Sequence, residues 1–120
     1  MKRVLVIDDD ERIRTLVNDA LHGFGYEVLQ AEDGAAGIAL FREKPADLII
    51  TDLLMPEKEG IETIVELRRD FPKVKILVIS GSLDTHLRMA KLLGADMTLS
   101  KPFDVSFLRA AVTELTEEED

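Results

Sequence analysis

Five short apolar runs recur along this chain, and a stretch with helical spacing follows each of them. The runs are Lys2–Ile7, Tyr26–Ala31, Leu48–Thr51, Val74–Ile79 and Met97–Leu99. Continuous apolar runs of this length, bounded by turn residues, read as buried strands, while Tyr26–Ala31 alternates weakly, Val28 and Gln30 against Leu29 and Ala31, and reads as a strand on that ground. Between them the period changes. Ile13, Leu16, Val17, Ala20, Leu21 and Phe24 fall at helical spacing, with Gly23 and Gly25 as the stop. Asp33 starts a second helix with Ala36, Ile38, Ala39, Leu40 and Phe41 available for burial. Glu57 to Asp70 reads as a third, with Ile61, Ile64, Val65 and Leu67 inward. Asp84 to Leu93 is a fourth, stopped by Gly94, and Asp104 caps a last helix through Leu115.

Strict alternation of strand and helix demands a parallel sheet with helices on both faces. Right-handed crossovers leave few topologies. The fold class expected is α/β: a doubly wound, five-stranded parallel sheet of order 2-1-3-4-5, flavodoxin-like, with five helices. The 120 residues leave no room for a second unit, so residues 1–116 form one domain and 117–120 an acidic tail. No cysteine is present, which excludes a thiolate metal site. No apolar run reaches 18 residues, which with the absence of a signal-peptide pattern gives a cytoplasmic expectation and no membrane partner. A net charge of −9 argues against direct nucleic-acid binding.

In a sheet of this kind, ligands bind outside the carboxyl ends of the strands. Those ends carry Asp8 and Asp9 after the first strand, Asp52 after the third, Ser80 after the fourth and Lys101 after the fifth. Taken singly, each has an ordinary explanation. An Asp pair before a helix serves as cap and dipole complement. A strand-end serine is a turn residue, and a lysine is solvated. Their coincidence at four strand ends is harder to dismiss. Three converging carboxylates repel one another, and a hard divalent cation such as Mg2+, which takes oxygen ligands and shares phosphate oxygens, offsets that repulsion. A metal, a lysine and a hydroxyl donor make a phosphoryl-binding set. The chemistry that suits it is attack by an Asp52 oxygen on phosphorus, giving an acyl phosphate. Asp8 and Asp9 would hold Mg2+, Ser80 would hydrogen-bond the phosphoryl group, and Lys101 would pair with it.

The blocks VLVIDDD, DLIITDLLMP, ILVISGS and GADMTLSKPF resemble, in order and spacing, the motif blocks of response-regulator receiver domains of two-component signalling. The likeness runs from Lys2 to about Leu115. It implies Asp52 as phosphoacceptor and Asp8 and Asp9 as the acidic Mg2+ pair. It further implies that Leu54 lends a backbone carbonyl to the metal, and that Ser80 and Lys101 act as switch hydroxyl and phosphate-pairing lysine. A cis peptide at Lys101–Pro102 is implied as well. The implied partners are a histidine kinase or phosphotransfer protein as donor, and an output partner or effector domain reached through the 84–115 face. A phosphorylation-dependent dimer is one form of that contact. Such a protein is not an enzyme in its own right; it promotes its own phosphotransfer and slow dephosphorylation. One departure stands out. Receiver domains commonly carry an aromatic residue three positions before the lysine, and this chain has Thr98.

Two rival readings remain open in the sequence. Asp8 and Asp10 match the D-x-D strand end of haloacid-dehalogenase-type phosphohydrolases, although Glu11 and Arg12 stand where that motif expects a small residue and Thr or Val. Alternatively, the chain is a receiver fold that serves as an interaction module without using phosphate.

Overall fold

In the computed structural model of this chain, ten elements alternate: β1 (Arg3–Ile7), α1 (Glu11–His22), β2 (Glu27–Ala31), α2 (Gly34–Glu43), β3 (Leu48–Asp52), α3 (Glu59–Asp70), β4 (Lys75–Ser80), α4 (Asp84–Leu93), β5 (Met97–Ser100) and α5 (Val105–Glu117). The structure describes residues 1–53, 59–81 and 84–117, without the side chains of residue 59 and residues 84–87. All strand pairs are parallel, in the order β2-β1-β3-β4-β5. The expected fold class and strand order are those observed.

Successive strand residues face opposite sides of the sheet, so each apolar strand feeds two cores. Val4, Val6, Leu48, Ile50, Leu77 and Ile79 pack against Val17 and Leu21 of α1 and Leu108, Val112 and Leu115 of α5. Leu5, Ile7, Ile49, Ile76 and Val78 pack against Ile38 and Phe41 of α2, Ile64 and Leu67 of α3, and Ala90 of α4. Both layers are sealed, since the central strands β1, β3 and β4 are buried nearly throughout.

The helices start where the sequence has side-chain acceptors. Asp10 caps α1 by accepting from the Arg12 N–H at 2.9 Å, and Asp33 caps α2 through the Ala36 N–H at 2.7 Å. Asp104 accepts from the Ser106 N–H at 3.0 Å at the start of α5. Four burial expectations need correction, and the first is Leu16 of α1, which is exposed. Val65 is exposed, because it stands off the Ile64–Leu67 stripe that faces the sheet. Phe24 is also exposed: α1 ends at His22, and the ring lies 5.1 Å from the Arg109 guanidinium rather than in the core. On α2, Ala36 and Ala39 face outward while Ile38 and Phe41 hold the core.

Candidate functional site

Register places the site. Ile7 of β1 pairs with Thr51 of β3, so the next residues, Asp8 and Asp52, emerge side by side. On the other flank Asp52 pairs with Ile79, and Ser80 with Ser100. Lys101 follows directly, its N–H donating to the Ser80 carbonyl at 2.9 Å. The Lys101–Pro102 peptide is cis.

The Lys101 ammonium bridges two carboxylates, donating to Asp8 Oδ2 at 3.1 Å and to Asp52 Oδ2 at 3.2 Å. Asp8 and Ser80 are fully buried, and Asp52 nearly so. Asp9 is exposed, yet an oxygen of each of Asp8, Asp9 and Asp52 lies within 4.8 Å of the others. Capping of α1 belongs to Asp10, whose carboxylate is held below its usual range by the Arg12 side chain and then by the Arg12 N–H. The N-cap explanation of Asp8 and Asp9 therefore fails, and the pair is left for the cluster. The D-x-D pattern fails as well: Asp10 faces its own helix and Arg12, while the partner of Asp8 across the sheet is Asp52.

Burial pushes the Asp8 carboxyl above its usual range, against the Asp10 N–H and the Lys101 charge, with the Asp52 carboxylate adding to the rise. Burial works against the Lys101 ammonium too, but Asp52 and Asp8 outweigh it and its pKa is raised. The cluster is thus short of positive charge. Three oxygen-donor carboxylates converging on one point, with one ammonium between two of them, fit a hard divalent ion that keeps part of its water. Leu54, expected to lend its carbonyl, lies outside the described residues.

Two residues that shape this site carry no obvious signal in the sequence. Arg14, on α1, donates from Nη1 to the Asp8 main-chain carbonyl at 2.7 Å. Gly60, in the first turn of α3, lies so close to β3 that a Cβ there would overlap the Leu53 carbonyl and stand 2.7 Å from that of Asp52. Only a glycine lets the helix press against the strand end that carries Asp52. An isolated glycine inside a helical pattern is the clue that could have found it.

Fold and site together define a doubly wound domain with an acidic, lysine-bridged crevice at the carboxyl ends of its strands. The model of the response regulator receiver domain matches residues 4–113, and the chain belongs to that family. It is 39% identical over its whole length to the DNA-binding dual master transcriptional regulator RpaA of Synechocystis, covering 51% of that protein. It is 38% identical to the KDP operon transcriptional regulatory protein KdpE of Escherichia coli, over 92% of this chain and 49% of the relative. The chain thus spans about half the length of these curated relatives. Among solved structures, chemotaxis protein CheY4 of Vibrio cholerae superimposes with a TM-score of 0.89 at 30% identity, covering 96% of this chain and 98% of that one. Response regulator protein TrrA of Thermotoga maritima, in complex with Mg2+–BeF, gives 0.87 at 32% identity, covering 96% and 99%. No described helix is long and apolar enough to cross a membrane.

Proposed function

We propose that this domain is a phosphorylation-dependent switch of the cytoplasm, with Asp52 as phosphoacceptor and Asp8, Asp9, Asp52 and the Leu54 carbonyl as Mg2+ ligands. The observation that carries the reading is the bridged carboxylate pair, Lys101 Nζ at 3.1 Å from Asp8 and 3.2 Å from Asp52, beside the third carboxylate of Asp9. Bound Mg2+ would neutralise charge on the incoming phosphoryl oxygens. The rest is done by the chain. An Asp52 oxygen attacks phosphorus of a phosphohistidine, or of a small phosphodonor. The O–P bond forms as the P–N bond breaks, and the electron pair returns to the imidazole nitrogen, which takes a proton from water. Lys101 exchanges its contact with Asp52 for one with the phosphoryl group. The Ser80 hydroxyl donates to a phosphoryl oxygen that is present in only one state, and such a differential contact is what shifts a two-state equilibrium.

Output is assigned to the face of α4, β5 and α5. Met89 at 39% exposure, Leu92 at 88% and Phe107 at 65% support that assignment, since large apolar side chains there are left for a partner. The donor is a histidine kinase or phosphotransfer protein. The receiver unit is taken as residues 1–116, although α5 runs one residue further, to Glu117.

Intact-mass measurement after acetyl phosphate treatment tests the assignment. One phosphoryl group should be added with Mg2+ and none without it, and Asp52→Asn should prevent the addition. Full labelling of Asp52→Asn would overturn it.

A further inference from the structure

Asp9 is the one carboxylate of the cluster with no positioning contact of its own. It is exposed, and among the described residues its side chain has no hydrogen-bond partner. Something other than its side chain must aim it at Asp8 and Asp52. The two peptide planes on either side of Asp9 are both tied down. The plane between Asp8 and Asp9 is held by its carbonyl, which accepts from Arg14 Nη1 at 2.7 Å. The plane between Asp9 and Asp10 is held by its N–H, which donates to Asp8 Oδ1 at 2.9 Å. With both planes fixed, the Asp9 backbone dihedrals are fixed, and so is the direction of its Cβ.

The geometry points to Arg14 as the positioning residue that aims Asp9 into the cluster. Sheet pairing cannot do this. The Asp8 N–H still reaches the Ala31 carbonyl of β2 at 3.1 Å, but β2 ends there, and the Asp8 carbonyl needs another donor. Arg14 provides it from the first turn of α1, half-buried, and forms no ion pair with a described carboxylate. Its partner is a main-chain oxygen, so the effect is on direction and not on the charge of a carboxylate. Asp8 is thereby held at four points: N–H by Ala31, carbonyl by Arg14, Oδ1 by Asp10 and Oδ2 by Lys101.

The inference rests on the Mg2+ reading for one of its two readouts, and the other needs no metal. In the metal-free protein, Arg14→Met keeps the aliphatic stem and removes the donors. Amide hydrogen exchange at Asp10 should accelerate at least tenfold, while exchange at Val17 and Leu21 in the core stays at the parent rate. Arg14→Lys, which restores a donor, should recover most of the protection. In Mg2+ titrations followed by amide shifts, Arg14→Met should bind several-fold more weakly than the parent. Unchanged exchange at Asp10 in Arg14→Met would overturn the proposal. So would an Mg2+ affinity in Arg14→Met equal to that of the parent. A parent that binds no Mg2+ would instead count against the metal reading, and the exchange rates alone would then decide the role of Arg14. Should Arg14→Met fail to fold, Arg14→Lys and Arg14→Gln are compared by the same two readouts, and equal protection and affinity in both, whatever their reach, would overturn the proposal.

Discussion

Replacing Lys101 by Met removes the ammonium that touches two buried carboxylates while keeping most of the stem that packs beside them. Breaking a buried ion pair from one side costs about 3–5 kcal/mol, because the other charge is left without compensation. Here there is an upper bound. One of the two carboxyls can take up a proton instead of remaining charged. At pH 7, protonating a group with an unfolded pKa of about 3.9 costs about 4 kcal/mol, from about 1.4 kcal/mol per pH unit. At pH 5 the same proton costs only about 1.5 kcal/mol. Lys101→Met should therefore lose about 3 kcal/mol at pH 7 and no more than about 1.5 kcal/mol at pH 5. For 120 residues the unfolding entropy is about 0.25 kcal/mol/K, so the melting temperature should fall by about 12 °C at pH 7 and by half that or less at pH 5. The sign follows from Asp8. Its folded pKa is already raised, so the folded state holds its proton longer than the unfolded one, and stability falls as pH rises through that range. Removing Lys101 raises it further and widens the window. Calorimetry at both pH values, in the absence of divalent ions, measures the difference. Adding Mg2+ at pH 7 should stabilise the variant more than the parent, since the ion no longer competes with the ammonium. A loss of equal size at pH 5 and pH 7 would show that the two carboxylates are not held charged by Lys101, and the electrostatic account of the site would be wrong.

Asp9→Asn should raise the metal-free melting temperature by about 2 °C, as an exposed like charge is removed at a gain of roughly 0.5 kcal/mol, and should abolish Mg2+ binding; a lower metal-free melting temperature contradicts stored repulsion. Arg68→Met should lower stability by about 2–3 kcal/mol without affecting phosphorylation, because Arg68 donates to the Val74 carbonyl at 2.7 Å, the Gly94 carbonyl at 2.7 Å and Asp96 at 3.0 Å, far from the cluster; urea unfolding gives the number. Leu54 and Ser82 lie outside the described residues, but they stand two positions after Asp52 and Ser80, where family resemblance puts the path of the hydrolytic water. Neither can position water strongly, so self-dephosphorylation should be slow, and Leu54→Asn with Ser82→Glu should accelerate loss of phosphate by roughly tenfold or more; rates at or below the parent's in both the single and double variants would remove Leu54 from that path.

Most of the architecture was legible because it depends on period and punctuation. The central strand runs are apolar on both faces, and two cores demand that, so Leu48 to Ile50 could hardly be read otherwise. Capping aspartates at Asp33 and Asp104 marked two helix starts for a local reason, since each accepts from an N–H two or three residues ahead. Phe24 and Val65 depart from the pattern because periodicity gives the direction of an apolar face but not where a helix ends or how wide its buried stripe is. The site was legible for a different reason. Asp8, Asp52 and Lys101 are separated by 44 and 49 positions, and only the topology brings the two carboxylates within 3.2 Å of a common ammonium. Once the strand order is settled, chain position at a strand end becomes spatial position at one edge.

What escaped the sequence were groups that act on main chain. Arg14 binds a carbonyl, and Gly60 matters for what a Cβ would strike; neither side chain faces a reactive group. Residue type predicts which charges meet, but every residue has a carbonyl, so a bond to one carries no compositional mark. The same asymmetry explains Thr98. On β5 it pairs with Val78 and, unlike Met97 and Leu99, does not join the α1–α5 core, so the alternation of the strand fixes its side of the sheet whatever its side chain. An aromatic ring at that place would supply bulk on the α4 side; threonine supplies little. In the switch proposed above, the contact that distinguishes the two states is therefore assigned to Ser80, which sits fully buried at the end of the neighbouring strand, beside Lys101 and one register step beyond Asp52.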